Sequence, residues 1–298
     1  MIEKPSVKIL SRKRKAIYQK NHTVAGTVLL LTISATTLGN SSQNMKDKTV
    51  DHVKHLTDFQ VVEFRRYTIK EGEREHFATY FESYFPEAFQ QMGAILFGQF
   101  FERRNPVGFT WLRGFKNTDA RAIINAGFYY GPLWREHSST MNNLMVDSDN
   151  VLLLRPLSPE RGIPVLPSVD PVKEGNGAQG VVVAEIFAVK PESVDSFAQR
   201  AEATFASYRA AGAREAGVLV TLDVPNNFPQ LPVRTDGPYL VWLGIVRDNQ
   251  TLETKFAPLA ERSVQSLSAT GLLRGTPEVL ILYPTHRSRL RWLTEEKK

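Results

Sequence analysis

The sequence predicts an α+β fold: two tandem ferredoxin-like β-α-β-β-α-β units packed on each other as an α/β barrel within one chain. Three observations carry this. One order of strand and helix patterns runs twice, a stretch without periodicity separates the two runs, and short fragments recur in the same order in both.

In the first run, Phe59–Lys70 is rich in β-branched and aromatic residues and reads as a strand. Gly72 marks a turn. Apolar residues then fall at Phe77, Tyr80, Phe81, Tyr84, Phe85, Ala88, Phe89 and Met92, one continuous helical face that Pro86 should kink. Ala94–Phe101 and Phe109–Phe115 read as strands joined by a turn at Asn105-Pro106. Asn117 is placed to cap a helix over 118–145, which Gly131-Pro132 divides. Val151–Leu154 closes the unit as a fourth strand.

Residues 158–180 hold four Pro and four Gly and read as a linker. The pattern then restarts. Val181–Val189 is a strand, Ser193 a cap, and Val194, Phe197, Ala201, Phe205, Tyr208 and Ala211 one helix face. Strands over Gly217–Val224 and Tyr239–Val246, a helix over 252–270 and a strand over Val279–Tyr283 complete it. The closing fragment at Val151–Pro156 echoes that at Val279–Pro284. Thr110-Trp111-Leu112 echoes Val241-Trp242-Leu243, and Phe77 and Phe85 match Phe197 and Phe205. Such ordered self-similarity argues duplication. A four-stranded sheet with helices on one face leaves the other face bare, and the second copy can cover it.

The organisation expected is therefore a basic extension over 1–58, a first unit over 59–157, the linker 158–180, a diverged second unit over 181–285 and a basic tail over 286–298. Residues 1–58 hold ten Lys/Arg against four acids, leaving the other 240 residues with 27 of each. The body has no basic excess for phosphate backbones, which speaks against nucleic acid. Thr23–Gly39 is uncharged and follows a basic stretch, the layout of an export signal or a short anchor. The alternative is an extension from a mis-assigned start, with Met45 just past it. The first reading places the protein outside the cytoplasm or on a membrane, the second in the cytoplasm. Membrane contact would come only through this segment. The absence of cysteine excludes disulfides and thiolate chemistry. His52 and His55 fall in a charged stretch, no metal-ligand spacing is convincing, and no cofactor is expected.

Alternation places Glu63, Arg65 and Tyr67 on one strand face, and Trp111, Arg113 and Phe115 on one face of another. Buried, these would wall a polar-aromatic pocket for a small acidic or aromatic molecule. Glu63 or His137 would handle protons there, with Arg65 and Arg113 holding a carboxylate. The matching positions of the second unit, Val183, Glu185 and Phe187, lack the Arg and Tyr, so the pocket should belong to the first unit. The competing readings are a structural Glu–Arg pair and a packed helix histidine. Val224–Pro238 carries four prolines and reads as a lid, a partner contact or a rigid connector using Phe228, Arg234 and Asp236. The tail from His286 to Trp292 reads as solvated or as a contact for an acidic surface.

Glu63-Phe64-Arg65-Arg66-Tyr67 followed by Lys70-Glu71-Gly72 resembles the opening of NIPSNAP domains, with Glu71 where the family has Pro. Trp111 with Asp119-Ala120-Arg121, Trp134 within Gly131–Trp134, and the closing Leu152–Leu157 are also similar to that family. Arg113 departs from a strand that often carries Tyr there. The resemblance implies the dimeric α/β barrel fold, and Trp134 as a pocket residue beside Arg65, Tyr67, Trp111 and Arg113. Relatives of that fold include cofactor-independent monooxygenases and haem enzymes, and the family is associated with protein partners. It therefore leaves open a small-molecule binder or enzyme, a protein-recognition scaffold, and assembly into homo-oligomers. A cavity lined by Arg65, Tyr67 and Trp111 favours the binder; a filled barrel interior favours the scaffold.

Overall fold

A computed structural model describes residues 59–294. The uncharged run 23–39, the basic extension and the pair His52/His55 lie outside the described residues. The first half runs β1 (Val61–Ile69), α1 (Arg74–Tyr84), α2 (Pro86–Gln91), β2 (Ile95–Glu102), β3 (Gly108–Phe115), α3 (Thr118–Tyr129), α4 (Pro132–Leu144) and β4 (Met145–Pro156). The second runs β5 (Val181–Ala188), α5 (Val194–Ala210), β6 (Arg214–Thr221), β7 (Tyr239–Val246), α6 (Ala257–Ser268) and β8 (Glu278–Pro284). A π-helical turn over Leu252–Phe256 leads into α6.

Local chemistry accounts for most boundaries. Pro86 and Pro132 each open a helix, where a missing N–H costs nothing. Asn117 caps α3, its Oδ1 accepting from Ala120 N–H at 2.8 Å. Ser193 stands just before α5, the counterpart of α1, but does not cap it; its hydroxyl donates to the Pro191 carbonyl. Asp248 does cap its turn, accepting from Thr251 N–H at 2.7 Å. The strand expected over 217–224 runs instead over 214–221, and the first half's last strand begins at Met145 rather than Val151.

The eight strands close into one barrel in the order β1-β3-β2-β8-β5-β7-β6-β4. Each half is an antiparallel sheet in which the first strand lies between the third and fourth. The halves therefore share one hydrogen-bonded wall rather than stacking two separate sheets face to face. Two short seams join them: β2 to β8 through Phe100↔Pro284 to Glu102↔Leu282, and β4 to β6 through Leu154↔Thr221 to Pro156↔Leu219. Equivalent bulges interrupt β2 at Leu96/Gly98 and β6 at Glu215/Gly217.

Three apolar cores follow. Val62, Phe64, Leu112, Leu154, Val182, Ala184, Val241, Leu243 and Leu282 meet in the lumen, burying the bare faces that required covering. The other two cores lie between each half's sheet and its own helices, around Phe77, Phe81, Phe89 and Trp111 in the first and Phe197, Phe205, Tyr208 and Trp242 in the second.

The segments read as a linker and a solvated tail are built into this body. Ile163 and Leu290 enter the lumen core. Arg291 is buried, forks onto Glu174 at 2.6 and 2.7 Å and donates to the Pro167 carbonyl. Leu290 N–H donates to Phe97 and Thr285 N–H to Gln99, extending β2 beyond its seam. Among the described residues no helix is long and apolar enough to cross a membrane.

Candidate functional site

β1 and β3 each have two buried faces, one toward the lumen and one toward helices. Glu63, Arg65 and Tyr67 lie on the helix side of β1, opposite Val62 and Phe64 in the lumen. In register, Glu63 sits beside Arg113 and Arg65 beside Trp111. The expected barrel pocket thus becomes a layer between the sheet and α1–α4. The lumen is taken by apolar side chains, aliphatic and aromatic.

Glu63 is the hub of that layer. Its Oε2 accepts from Arg65 Nη1 at 2.8 Å and from Arg113 Nε at 2.7 Å, and its Oε1 from Arg121 Nε at 2.6 Å. Glu63, Arg113 and Arg121 have 0% exposure and Arg65 1%. Burial alone would raise the Glu63 pKa, but the charges of Arg113, Arg65 and Arg121 overcome it and hold it far below the usual carboxylate range. A carboxylate so held takes up no proton near neutral pH, which argues against Glu63 as a general base. Arg65 also donates through Nε to Tyr67 Oη at 2.9 Å, and burial raises the pKa of that phenol. Aromatic faces surround the cations: Arg65 lies over Tyr67 and Trp111, and Arg113 near Phe89, Trp111, Phe115 and Tyr129 at 5.0–5.8 Å.

The charges do not balance. Three guanidiniums face one carboxylate, and no second carboxylate pairs with any of them among the described residues. Several buried polar atoms also lack hydrogen-bond partners among the described residues: Arg113 Nη1, Arg121 Nη2, Trp111 Nε1 and both side-chain atoms of Asn125.

The second half closes this layer. Asn226 and Asn227, from the four-proline loop, accept from Arg121 Nη1 at 3.0 and 2.8 Å. Asn227 Nδ2 donates to the Thr118 carbonyl at 2.7 Å, and Phe228 packs against Tyr129 and Tyr130. Of the loop residues singled out in the sequence, Phe228 makes this contact. Arg234 and Asp236 pair with each other and with Tyr239 instead.

The remaining site residues belong to the helix layer. His137 is buried between α1 and α4, its Nδ1 2.7 Å from Tyr80 Oη and its ring stacked on Tyr84. Trp134 packs on Phe85, Phe128 and Tyr129. Arg121, noted in the sequence only within the Asp119-Ala120-Arg121 motif, was not assigned to the site, nor were Asn125, Asn226 and Asn227. Arg121 and Asn125 stand one turn apart on α3, a spacing that signals a shared face but not which strand it meets.

A groove of about 710 Å³ opens elsewhere, where β2 and β8 meet the π turn and α6. Arg66 is matched there by Glu102 and Glu278 and Arg103 by Glu253, and its third cation, Arg104, is exposed to water, so the groove presents much less buried polar demand than the Glu63 cluster. Among the described residues no group of three or more His, Asp or Glu is placed to hold a metal.

Comparison with known proteins bears on the half that carries the cluster. Residues 62–159 match the NIPSNAP family model. Over that span the first half is similar to NIPSNAP domains. Its hub Glu63, its flanking arginines and Trp111 all lie inside the matched span. No curated protein matches the sequence significantly. Among solved structures, an anthrone oxidase-like protein is 11% identical over 80% of this chain and 98% of its own, with a TM-score of 0.52. A candidate monooxygenase of Fusobacterium nucleatum is 11% identical over 80% and 99%, at 0.50. At that identity the likeness concerns the barrel fold alone. A NIPSNAP-like domain protein of Burkholderia xenovorans is 24% identical over 34% of this chain and 88% of its own, at 0.31.

Proposed function

We propose that the protein binds a small organic acid between the sheet and helices of its NIPSNAP half. The observation that carries this is the buried excess of two positive charges in the Arg65, Arg113 and Arg121 cluster around Glu63. Arginine does not discharge by losing a proton, and uncompensated ions inside a protein cost several kcal/mol each, as an order of magnitude. A bound carboxylate offsets that cost. Glu63 serves in this reading as the anchor that aligns the guanidiniums, with Tyr67 and Trp111 as apolar walls. His137, oriented by Tyr80, stays the candidate for proton transfer if the acid is turned over.

We also infer that residues 59–157 and 181–285 descend from one duplicated unit. The matching bulges, the shared strand order and the paired Trp111 and Trp242 support it. The filled lumen favours a second reading, a barrel serving as a frame for protein recognition. Native mass spectrometry of freshly purified protein separates the two. The binding reading expects a retained acidic ligand, lost in Arg113→Met. It fails if no adduct is seen and no organic acid raises the melting temperature.

A further inference from the structure

We infer that the ligand of the first half is a compact dianion, a dicarboxylate or phosphate-type oxyanion, held between Arg113 and Arg121. This rests on the reading of a small acid site there and narrows it.

The charged groups bonded at the hub are Glu63 and Arg65 on β1, Arg113 on β3 and Arg121 on α3, and the loop above them contributes neutral Asn226 and Asn227; the buried Glu82 of α1 is taken up instead by the Thr285 hydroxyl and the Arg287 N–H. One carboxylate among three guanidiniums leaves two positive charges. A monoanion would halve the imbalance and a dianion removes it. The unpartnered donors agree in number and position. Arg113 Nη1 and Trp111 Nε1 share one face of β3, and Arg121 Nη2 and Asn125 Nδ2 share one face of α3 above it. Arg113 Nη2 is taken up by its ion pair with Glu63 at 2.7 Å, which leaves four donors on two facing elements; the oxygens of a dicarboxylate or phosphate group can meet them on both elements while supplying the second negative charge that a single carboxylate lacks. Asn125 Oδ1 is also free to accept from a ligand hydroxyl. Entry requires movement of the Asn226–Phe228 loop, so the second half acts as the cover of the first half's site.

The test is calorimetric titration of the full chain with malonate, succinate and phosphate, alongside acetate and chloride as monoanions. Dianions should bind at least about tenfold more tightly than monoanions, a difference of about 1.4 kcal/mol. Malonate against phosphate then separates the carboxylate from the phosphate source. Arg121→Gln keeps an amide for the loop and removes one charge; it should cut the dianion preference by about tenfold. Asn125→Ala removes a neutral contact and should weaken both classes alike, leaving their ratio unchanged. Monoanions binding as tightly as dianions, or a ratio unmoved by Arg121→Gln, overturns the dianion. Absence of binding by every anion overturns the acid site itself. Where Arg121→Gln fails to fold, the wild-type ratio decides.

Discussion

The two halves set one backbone frame to opposite electrostatic uses. In the first, the helix-side positions of the opening and third strands are Glu63, Arg65, Trp111 and Arg113; in the second they are Val183, Glu185, Trp242 and Gly244. Glu185 is fully buried beside a phenol: Tyr208 Oη lies 2.9 and 3.1 Å from its two oxygens. Burial pushes the Glu185 pKa up to about 8, against the lowering effect of that hydrogen bond. The second half therefore settles its buried charge by keeping a proton. Arginines have no such exit, and in the proposed reading an anion from outside balances them. The tryptophans tell the same story: Trp242 Nε1 donates to Glu215 at 3.2 Å, whereas Trp111 Nε1 has no partner among the described residues.

The hardest blow to this contrast is Glu63→Gln. It strips the one anion from three buried cations and should cost about 3–5 kcal/mol in denaturant unfolding. A loss below about 1 kcal/mol would mean the arginines are solvated rather than held by Glu63. Glu185→Gln should act in the opposite direction. Folded Glu185 keeps its proton up to about pH 8, whereas the unfolded chain releases it near 4.5. Between those values the folded state binds more protons, so stability falls as pH rises through the window and levels off above it. The glutamine should erase that slope, matching wild type below pH 4.5 and exceeding it by on the order of a few kcal/mol at pH 9. Melting curves across pH check both the sign and the window.

Smaller effects sharpen the comparison. Asn227→Ala removes the bonds to Arg121 and Thr118 and should cost about 1–2 kcal/mol, with faster release of any bound anion in stopped-flow measurements. Asn117→Ala should cost about 1 kcal/mol through the lost cap, while Ser193→Ala, at a helix start with no side-chain cap, should cost less than about half of that. Equal costs would erase the local distinction between the two helix starts.

Much of the architecture was legible because the apolar residues carry it. Period-two runs became strands, the Phe77–Phe89 face became α1 and α2, and Pro86 and Pro132 divided helices where expected. Alternation also grouped Glu63, Arg65 and Tyr67 correctly. It did not tell which face looks inward, because both faces of these strands are buried and neither is marked by contact with water. The roles of Arg121 and Asn125 stayed hidden since a helix register against a sheet is set by packing. Asn226 and Asn227 stayed hidden since they arrive from about a hundred residues away. The loop that brings them was visible through its four prolines, though Arg234 and Asp236 turned out to serve the loop and Tyr239 rather than the cluster.

The stretch after β8 gives the barrel a stopper that no strand provides. Leu290 is sealed in the lumen, Ser288 accepts from Gln99 N–H at 3.2 Å, and Trp292 N–H donates to Gln179. A protease cut just past Pro284 would spare all eight strands and still let water reach the apolar interior. Such a clipped molecule should keep its far-ultraviolet dichroism while taking up a hydrophobic dye, a leaky cask with every stave in place.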